Sequence, residues 1–179
     1  MKPSDLLIYA DQLARLDLSA SINESDLLIE LTHTASGNLR KLGGRSVKTD
    51  KGTKKGVLTL PVYLSPATEG GRTMCPMATD GCASACLGHS SGHMRFDMQT
   101  RARIARTMLW QLFPEEFKRQ MLTEIAVHVR RSERKDMIPA IRLNGSSDVR
   151  WEKHGIPQAF PDVQFYDYTK LPAKARADR

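Results

Sequence analysis

The order of short apolar segments along the chain constrains its fold more than any other feature. GVLTLPVYL at residues 56–64 and MIPAIRLN at residues 137–144 have the length and composition of strands, and a third strand is predicted from about Val163 to Tyr168. The intervening stretches are long enough for helical crossovers, so the strands are expected to pair in parallel. The sequence therefore predicts an α/β fold, either a partial parallel barrel or a small open parallel sheet with flanking helices.

Two long helices are predicted between the first two strands, because apolar residues recur there at helical spacing. One helix begins near Met98, and the other runs from about Pro114 to Arg134 after a break at Phe113-Pro114. Their predicted buried residues are Ile104, Ala105, Met108, Leu109 and Leu112 in the first, and Phe117, Met121, Ile125 and Val129 in the second.

The remaining chain divides into an extension and a loop-bearing domain. Residues 1–35 predict a helical N-terminal extension, and residues 36–179 predict an α/β metal-binding domain. Within that domain, residues 36–56 have no apolar periodicity and read as a basic loop. A short helix is expected after Ser147 or Asp148, either of which could cap it.

Charge and hydropathy indicate a class of protein and a possible partner. No apolar run is long enough to span a bilayer, and the N-terminus does not resemble a secretion signal, so a cytoplasmic protein is expected. The net charge is +7, and residues 37–56 carry seven bases against one acid. Clustered bases favour binding to nucleic acid or to an acidic host protein, although runs of charge are often only part of a solvent-exposed surface. The candidate nucleic-acid-binding residues are Arg40, Lys41, Arg45, Lys48, Lys54, Lys55, Arg101, Arg103 and Arg106.

All three cysteines fall in one segment, CPMATDGCASACLGHSSGH, at residues 75–93. An odd number of cysteines within twelve residues fits a disulfide framework poorly and metal ligation better. Three thiolates could hold a [4Fe-4S] cluster and leave one iron open, whereas zinc would require a fourth ligand. The spacing does not distinguish between these two metal centres, and it also allows purely structural cysteines. The candidate metal ligands are Cys75, Cys82, Cys86 and His89.

Polar residues follow each predicted strand. In parallel α/β folds the loops at the carboxyl ends of the strands share one edge of the sheet, where ligands bind. The cysteine segment follows the first strand, NGSSD follows the second, and DYTK ends the third. These groups are therefore expected to converge on one site, whose candidate ligand-binding residues are Arg142, Asn144, Asp148, Asp167 and Lys170.

Four motifs together are similar to the phage gene-product-88 domain family. They are CPMATDGCASACLGHSSG, QTRARIARTMLW, IRLNGSSDVRWE and FPDVQFYDYTK, and the resemblance runs from about Ser36 to Lys170. Members of that family usually continue into further strands, so this chain resembles a shortened member. Its open sheet edges would then need covering by the N-terminal helices, a partner or a second copy.

The position of the cysteine loop is also distantly like that of radical S-adenosylmethionine enzymes, which place three cysteines after the first strand of an α/β barrel. The spacing here is C-x6-C-x3-C rather than C-x3-C-x2-C, and no glycine-rich S-adenosylmethionine motif is present. Two functional hypotheses follow. The first is a metal-binding phage protein with an iron–sulphur cluster, and the second is a non-catalytic accessory or inhibitor protein with structural zinc that binds nucleic acid or a host defence protein. The sequence leaves open whether the protein is an enzyme.

Overall fold

Three parallel strands form one sheet in the order β1-β2-β3. The computed structural model describes residues 41–90, 92–172 and 174, without the side chains of residues 89, 90, 93 and 95. The strands are β1 (Val57–Pro61), β2 (Ile138–Arg142) and β3 (Gln164–Phe165). The predicted α/β fold with a small open parallel sheet is confirmed.

The third strand is shorter than the sequence predicts. Tyr166 still donates its amide to the Ile141 carbonyl, but the amide of Asn144, two residues beyond β2, donates to the side chain of Asp167. Because a carboxylate replaces the backbone carbonyl as acceptor, the ladder ends there. Pro61 is the last residue of an edge strand, where a missing N–H is tolerated.

Five α-helices lie in the described ranges, all of them before β2. They are α1 (Val47–Thr53), α2 (Asp80–Ser84), α3 (Leu87–Ser90), α4 (Asp97–Leu112) and α5 (Pro114–Glu133). Short 3-10 helices occur at Gly92–Arg95, Trp151–His154 and Pro157–Ala159. The short helix predicted after Ser147 or Asp148 is present as the 3-10 helix Trp151–His154, but the predicted cap is wrong, because Arg150 precedes this helix and no side chain caps it.

The predicted apolar stripes of α4 and α5 build most of the core. Seven of the nine predicted residues are buried, while Leu112 and Val129 are partly buried against the same cluster. Ile141 of β2 and Leu64 beyond β1 lie in that cluster too. His128 was not among the residues predicted to be buried, but it is buried too. Its Nε2 lies 3.0 Å from the Leu58 carbonyl of β1. These contacts hold α5 against the sheet.

The basic segment before β1 is not only a loop. Ser46 and Thr49 form a capping box, in which the amide of Thr49 bonds to the Ser46 hydroxyl at 3.2 Å, and this starts α1. Upstream, the amides of Leu42 and Gly43 bond to the carboxylate of Glu124 on α5. Residues 41–56 are thus docked on the domain, while the predicted helices in residues 1–35 lie outside the described residues.

Candidate functional site

The loops after β1 and β2 meet at the carboxyl ends of the strands. The amide of Asp148 donates to the Met74 carbonyl at 2.7 Å, and the hydroxyl of Ser146 donates to the Leu64 carbonyl. The thiol of Cys75 lies 3.8 Å from the Ser146 carbonyl. The start of the cysteine segment is therefore fixed beside the loop that carries Asp148.

The end of β3 completes this edge. The amide of Asn144 donates to Asp167 Oδ1 at 2.9 Å, and the amide of Lys170 donates to Asp148 Oδ2 at 2.9 Å. The side chain of Lys170 is exposed. The predicted convergence of the three strand ends is thus present in the structure.

Asn144 is a structural hub at this edge. Its Oδ1 accepts hydrogen bonds from the Ser147 hydroxyl, the Val149 amide and the Trp151 indole at 2.9–3.0 Å. Its Nδ2 donates to the Val149 carbonyl at 2.9 Å and to Asp167 Oδ2 at 3.3 Å. Both side-chain atoms of this buried amide are fully used, so Asn144 shapes the loop and has little capacity left for a ligand.

Asp167 has an altered acidity. Its surroundings raise its pKa to about 6, chiefly because protein atoms displace water from the carboxylate. The hydrogen bonds from Asn144 and the charge of Arg142 oppose this rise, while the charge of Asp148 adds to it. The residue as a whole remains partly exposed. Asp167 can thus exchange a proton near neutral pH.

Arg142 lies near Asp167 and also stacks on an aromatic ring. Its guanidinium carbon is 5.0 Å from the centroid of the Tyr168 ring. Its Nε is buried and has no hydrogen-bond partner in the described part of the chain.

A cleft of about 260 Å³ opens between these loops, and apolar residues such as Leu143, Trp151 and Phe165 form part of its lining. Asn144, Asp148, Asp167 and Thr169 line it together with Arg150, which the sequence analysis missed. Arg150 Nε lies 3.6 Å from Glu152, and its second terminal nitrogen is buried without a hydrogen-bond partner among the described residues. The cleft therefore combines a cation, a carboxyl group of raised pKa and a hydroxyl.

The other two cysteines lie further along the same segment. Cys82 is in α2, where its amide bonds to the capping hydroxyl of Thr79 at 3.2 Å. Cys86 precedes α3, and its sulphur accepts the Gly88 amide at 3.4 Å. Both are half-buried, as is Cys75, and none of the three, all within the described ranges, forms a disulfide.

The thiols are coupled to one another and to the strand ends. Burial raises the pKa of Cys75, and negative charge on Cys86, Asp148 and Cys82 raises it further, against the effect of a backbone hydrogen bond with Ala67. Such coupling shows that these four groups share one neighbourhood. The sequence motif had predicted this for the cysteines, but not the contribution of Asp148.

The donor chemistry fits a thiolate-ligated centre, but the donors are not assembled. Within the described residues, no three side chains from His, Cys, Asp and Glu are arranged to hold a metal ion. The side chain of His89, the fourth predicted ligand, lies outside the described part. A metal would therefore have to draw the thiols together, as ligand loops often do on binding.

Comparison with known proteins identifies the family. Residues 36–179 match the family model for gene product 88. The chain belongs to the phage gene product 88 family. No curated protein and no solved structure matches it.

The basic residues of this gene product 88 protein divide into exposed and buried sets. Arg40 lies outside the described residues, and Arg106 is half-buried. Arg103 is only 1% exposed, so its prediction as a surface contact for nucleic acid is wrong. It is buried because its guanidinium binds carbonyls of the segment after Cys86. The exposed members are Lys41, Arg45, Lys48, Lys54, Lys55 and Arg101.

None of the helices in the described ranges combines the length and apolar content needed to cross a bilayer.

Proposed function

We propose that this gene product 88 protein binds a metal centre through Cys75, Cys82 and Cys86, as a [4Fe-4S] cluster, next to the cleft at the strand ends. The observation that carries the proposal is the anchoring of the cysteine segment to the sheet edge. Cys75 contacts Ser146, and the residue before it accepts the Asp148 amide. Metal bound by these thiols would lie beside the cleft.

The residues at the edge have separate roles in this proposal. Three thiolates would supply the cluster with all of its protein ligands and leave one iron with an open position. Asn144 holds the loop after β2 in shape. Asp167, with a pKa of about 6, accepts or releases a proton, and Arg150 supplies a positive charge.

The volume of the cleft limits the size of the ligand that it can enclose. A volume of about 260 Å³ lies below the usual range for sites that enclose a drug-sized molecule. This favours a small ligand over the whole of S-adenosylmethionine, the cofactor that the likeness to radical enzymes suggests. Whether S-adenosylmethionine binds can be measured by titrating it into the iron-loaded protein.

Metal analysis of anaerobically purified protein tests the proposal. We expect brown protein that contains iron and sulphide, and Cys82→Ser should lose both. The matched control is Ser84→Ala, which changes a neighbouring residue of α2 and removes no sulphur. Colourless protein that contains one stoichiometric zinc would refute the cluster and support the structural-zinc alternative. Wild-type protein that retains neither metal after anaerobic reconstitution would refute metal binding.

A second candidate function is binding of nucleic acid by an accessory protein, and the exposed bases around α1 favour it. Lys48, Lys54 and Lys55 are exposed on or directly after this helix, and Lys41 and Arg45 are exposed before it. Such a surface could equally meet an acidic host protein.

Binding to a single-stranded oligonucleotide across a salt series tests the second candidate. The affinity should fall steeply as the salt concentration rises. Each of the substitutions Lys48→Gln and Lys54→Gln should lower the number of counterions released on binding by about one. The control is Arg130→Gln, an exposed base on α5. An affinity that does not respond to either lysine would argue against this surface.

A further inference from the structure

A second cleft is lined by three arginines. It has a volume of about 250 Å³ and lies between the segment before α1, Tyr63 and helix α4. Arg45, Arg103 and Arg106 line it together with the amide of Gln99. No carboxylate is among the described residues that line it. The cleft is therefore rich in hydrogen-bond donors with positive charge.

Arg103 is fixed in the wall of this cleft. One terminal nitrogen donates to the Met94 carbonyl at 2.8 Å, and the other donates to the Gly88 carbonyl at 3.1 Å and lies 3.4 Å from Glu69. Its Nε is buried and has no hydrogen-bond partner in the described chain. A nitrogen with so little accessible surface cannot reach a ligand, so Arg103 shapes the wall of the cleft, and its charge is balanced in part by Glu69.

The other two arginines are also oriented by the protein. Arg106 donates its Nε to the Tyr63 carbonyl at 3.1 Å, and Arg45 bonds to Asp50 at 3.1 Å through one terminal nitrogen. The guanidinium of Arg106 is thus positioned before any ligand arrives, which lowers the entropic cost of binding, whereas the side chain of Arg45 is 76% exposed. Planar guanidinium groups match the oxygens of a phosphate in charge and spacing.

We propose that this cleft binds a phosphate group, as carried by a nucleotide. The guanidinium groups of Arg45 and Arg106 and the amide of Gln99 would contact the phosphate oxygens, with Arg103 behind them in the wall, and the volume leaves room for part of the attached sugar. The site uses none of the cysteines, so it is independent of the proposed metal centre. It would also give nucleic-acid binding one defined phosphate contact in addition to the exposed lysines.

Calorimetry on the full chain tests the proposal, with inorganic phosphate, adenosine 5′-monophosphate and adenosine as probes. Phosphate and the monophosphate should bind, and adenosine should not. Arg45→Gln and Arg106→Gln should each weaken binding about tenfold, the loss expected for one charge-assisted hydrogen bond. Arg130→Gln is the matched control, since it removes an exposed arginine that does not line the cleft.

The outcomes separate this proposal from the others. The absence of phosphate binding at millimolar concentrations, or an equal loss in Arg130→Gln, would overturn it, as would unchanged affinity in both cleft variants. A single-stranded oligonucleotide that binds more tightly than the monophosphate, with the same dependence on Arg45, would identify a nucleic-acid backbone as the source of the phosphate. Binding of the monophosphate alone would identify a free nucleotide. Cys82→Ser should keep phosphate binding, whichever metal result it gives.

Discussion

The polar residues at the strand ends and the cysteines beside them occupy the same edge of the sheet, but the protein uses them differently. Asn144 is 6% exposed and makes hydrogen bonds through both atoms of its amide. Cys82 is half-buried, and its thiol makes no hydrogen bond within the described ranges. The first region is committed to holding loops together, whereas the Cys82 thiol of the second is not used in this way.

This difference shows that polarity at a strand end is not by itself a sign of ligand binding. Asp148 and Asn144 satisfy backbone amides of loops that would otherwise lack partners at the edge of the sheet. Thiols form weak hydrogen bonds and are poor substitutes in that role, so their grouping at this edge favours a function.

The largest expected effect comes from removing the amide of Asn144. Asn144→Ala should lower the free energy of unfolding by about 4 kcal/mol, because three donors to its oxygen become unpaired in a buried site. Chemical denaturation measures this effect. Gln158→Ala is the control, since that amide is exposed. A loss of less than about 1 kcal/mol in the free energy of unfolding would contradict the view that Asn144 is committed to holding the loops together.

A pair of glycines compares the rigidity of the two regions. A Cβ at Gly145 would overlap the Tyr63 ring and come within 2.7 Å of the Val62 carbonyl, whereas one at Gly81 in α2 would contact nothing within 4 Å. Gly145→Ala should therefore cost about 2 kcal/mol and Gly81→Ala nothing, since alanine favours helices. Thermal unfolding at matched concentration gives both values, and equal costs would contradict the contrast.

The acidity of Asp167 predicts how stability depends on pH at the strand ends. Its pKa of about 6 lies above the ordinary value of 3.8, so the folded state holds the proton more tightly than the unfolded chain. Relative to Asp167→Asn, the wild type should lose stability as pH rises from about 4 to about 6, with no further loss above that. Because the residue is partly exposed, solvent screening limits the effect to about 1 kcal/mol. Urea unfolding across this pH range measures the difference, and a rise with pH would show that the carboxylate is instead stabilised as the anion.

The smallest effect is expected for a thiol. In metal-free, reduced protein, Cys82→Ser should change the free energy of unfolding by less than about 0.5 kcal/mol, because the thiol makes no hydrogen bond in the described structure. The measurement is chemical denaturation with chelator and reductant present. A loss above about 2 kcal/mol would mean that the cysteine is structural, like the hub beside it.

The sequence predicted the strands, the two long helices and the convergence of the strand ends, because these follow from short-range periodicity and from parallel pairing. It did not predict α1, although the Ser46–Thr49 capping box is a local signal that could have been found. It also placed Arg103 on a surface, since the residue lies off the apolar stripe of α4. The segment that buries Arg103 comes from elsewhere in the chain, at Glu69, Gly88 and Met94.

By itself, the sequence of this gene product 88 protein determined the fold class, the buried faces of α4 and α5, and the grouping of three thiols on one segment. Only the tertiary structure decided which polar groups are committed and which remain available. Hydrogen bonds such as that between Asn144 and Asp167 join residues far apart in the chain, and burial depends on what packs above a side chain. Neither property can be predicted from the spacing of residues along the chain. The hydrogen bonds of Asn144 and the arginine cleft are therefore known only from the folded structure.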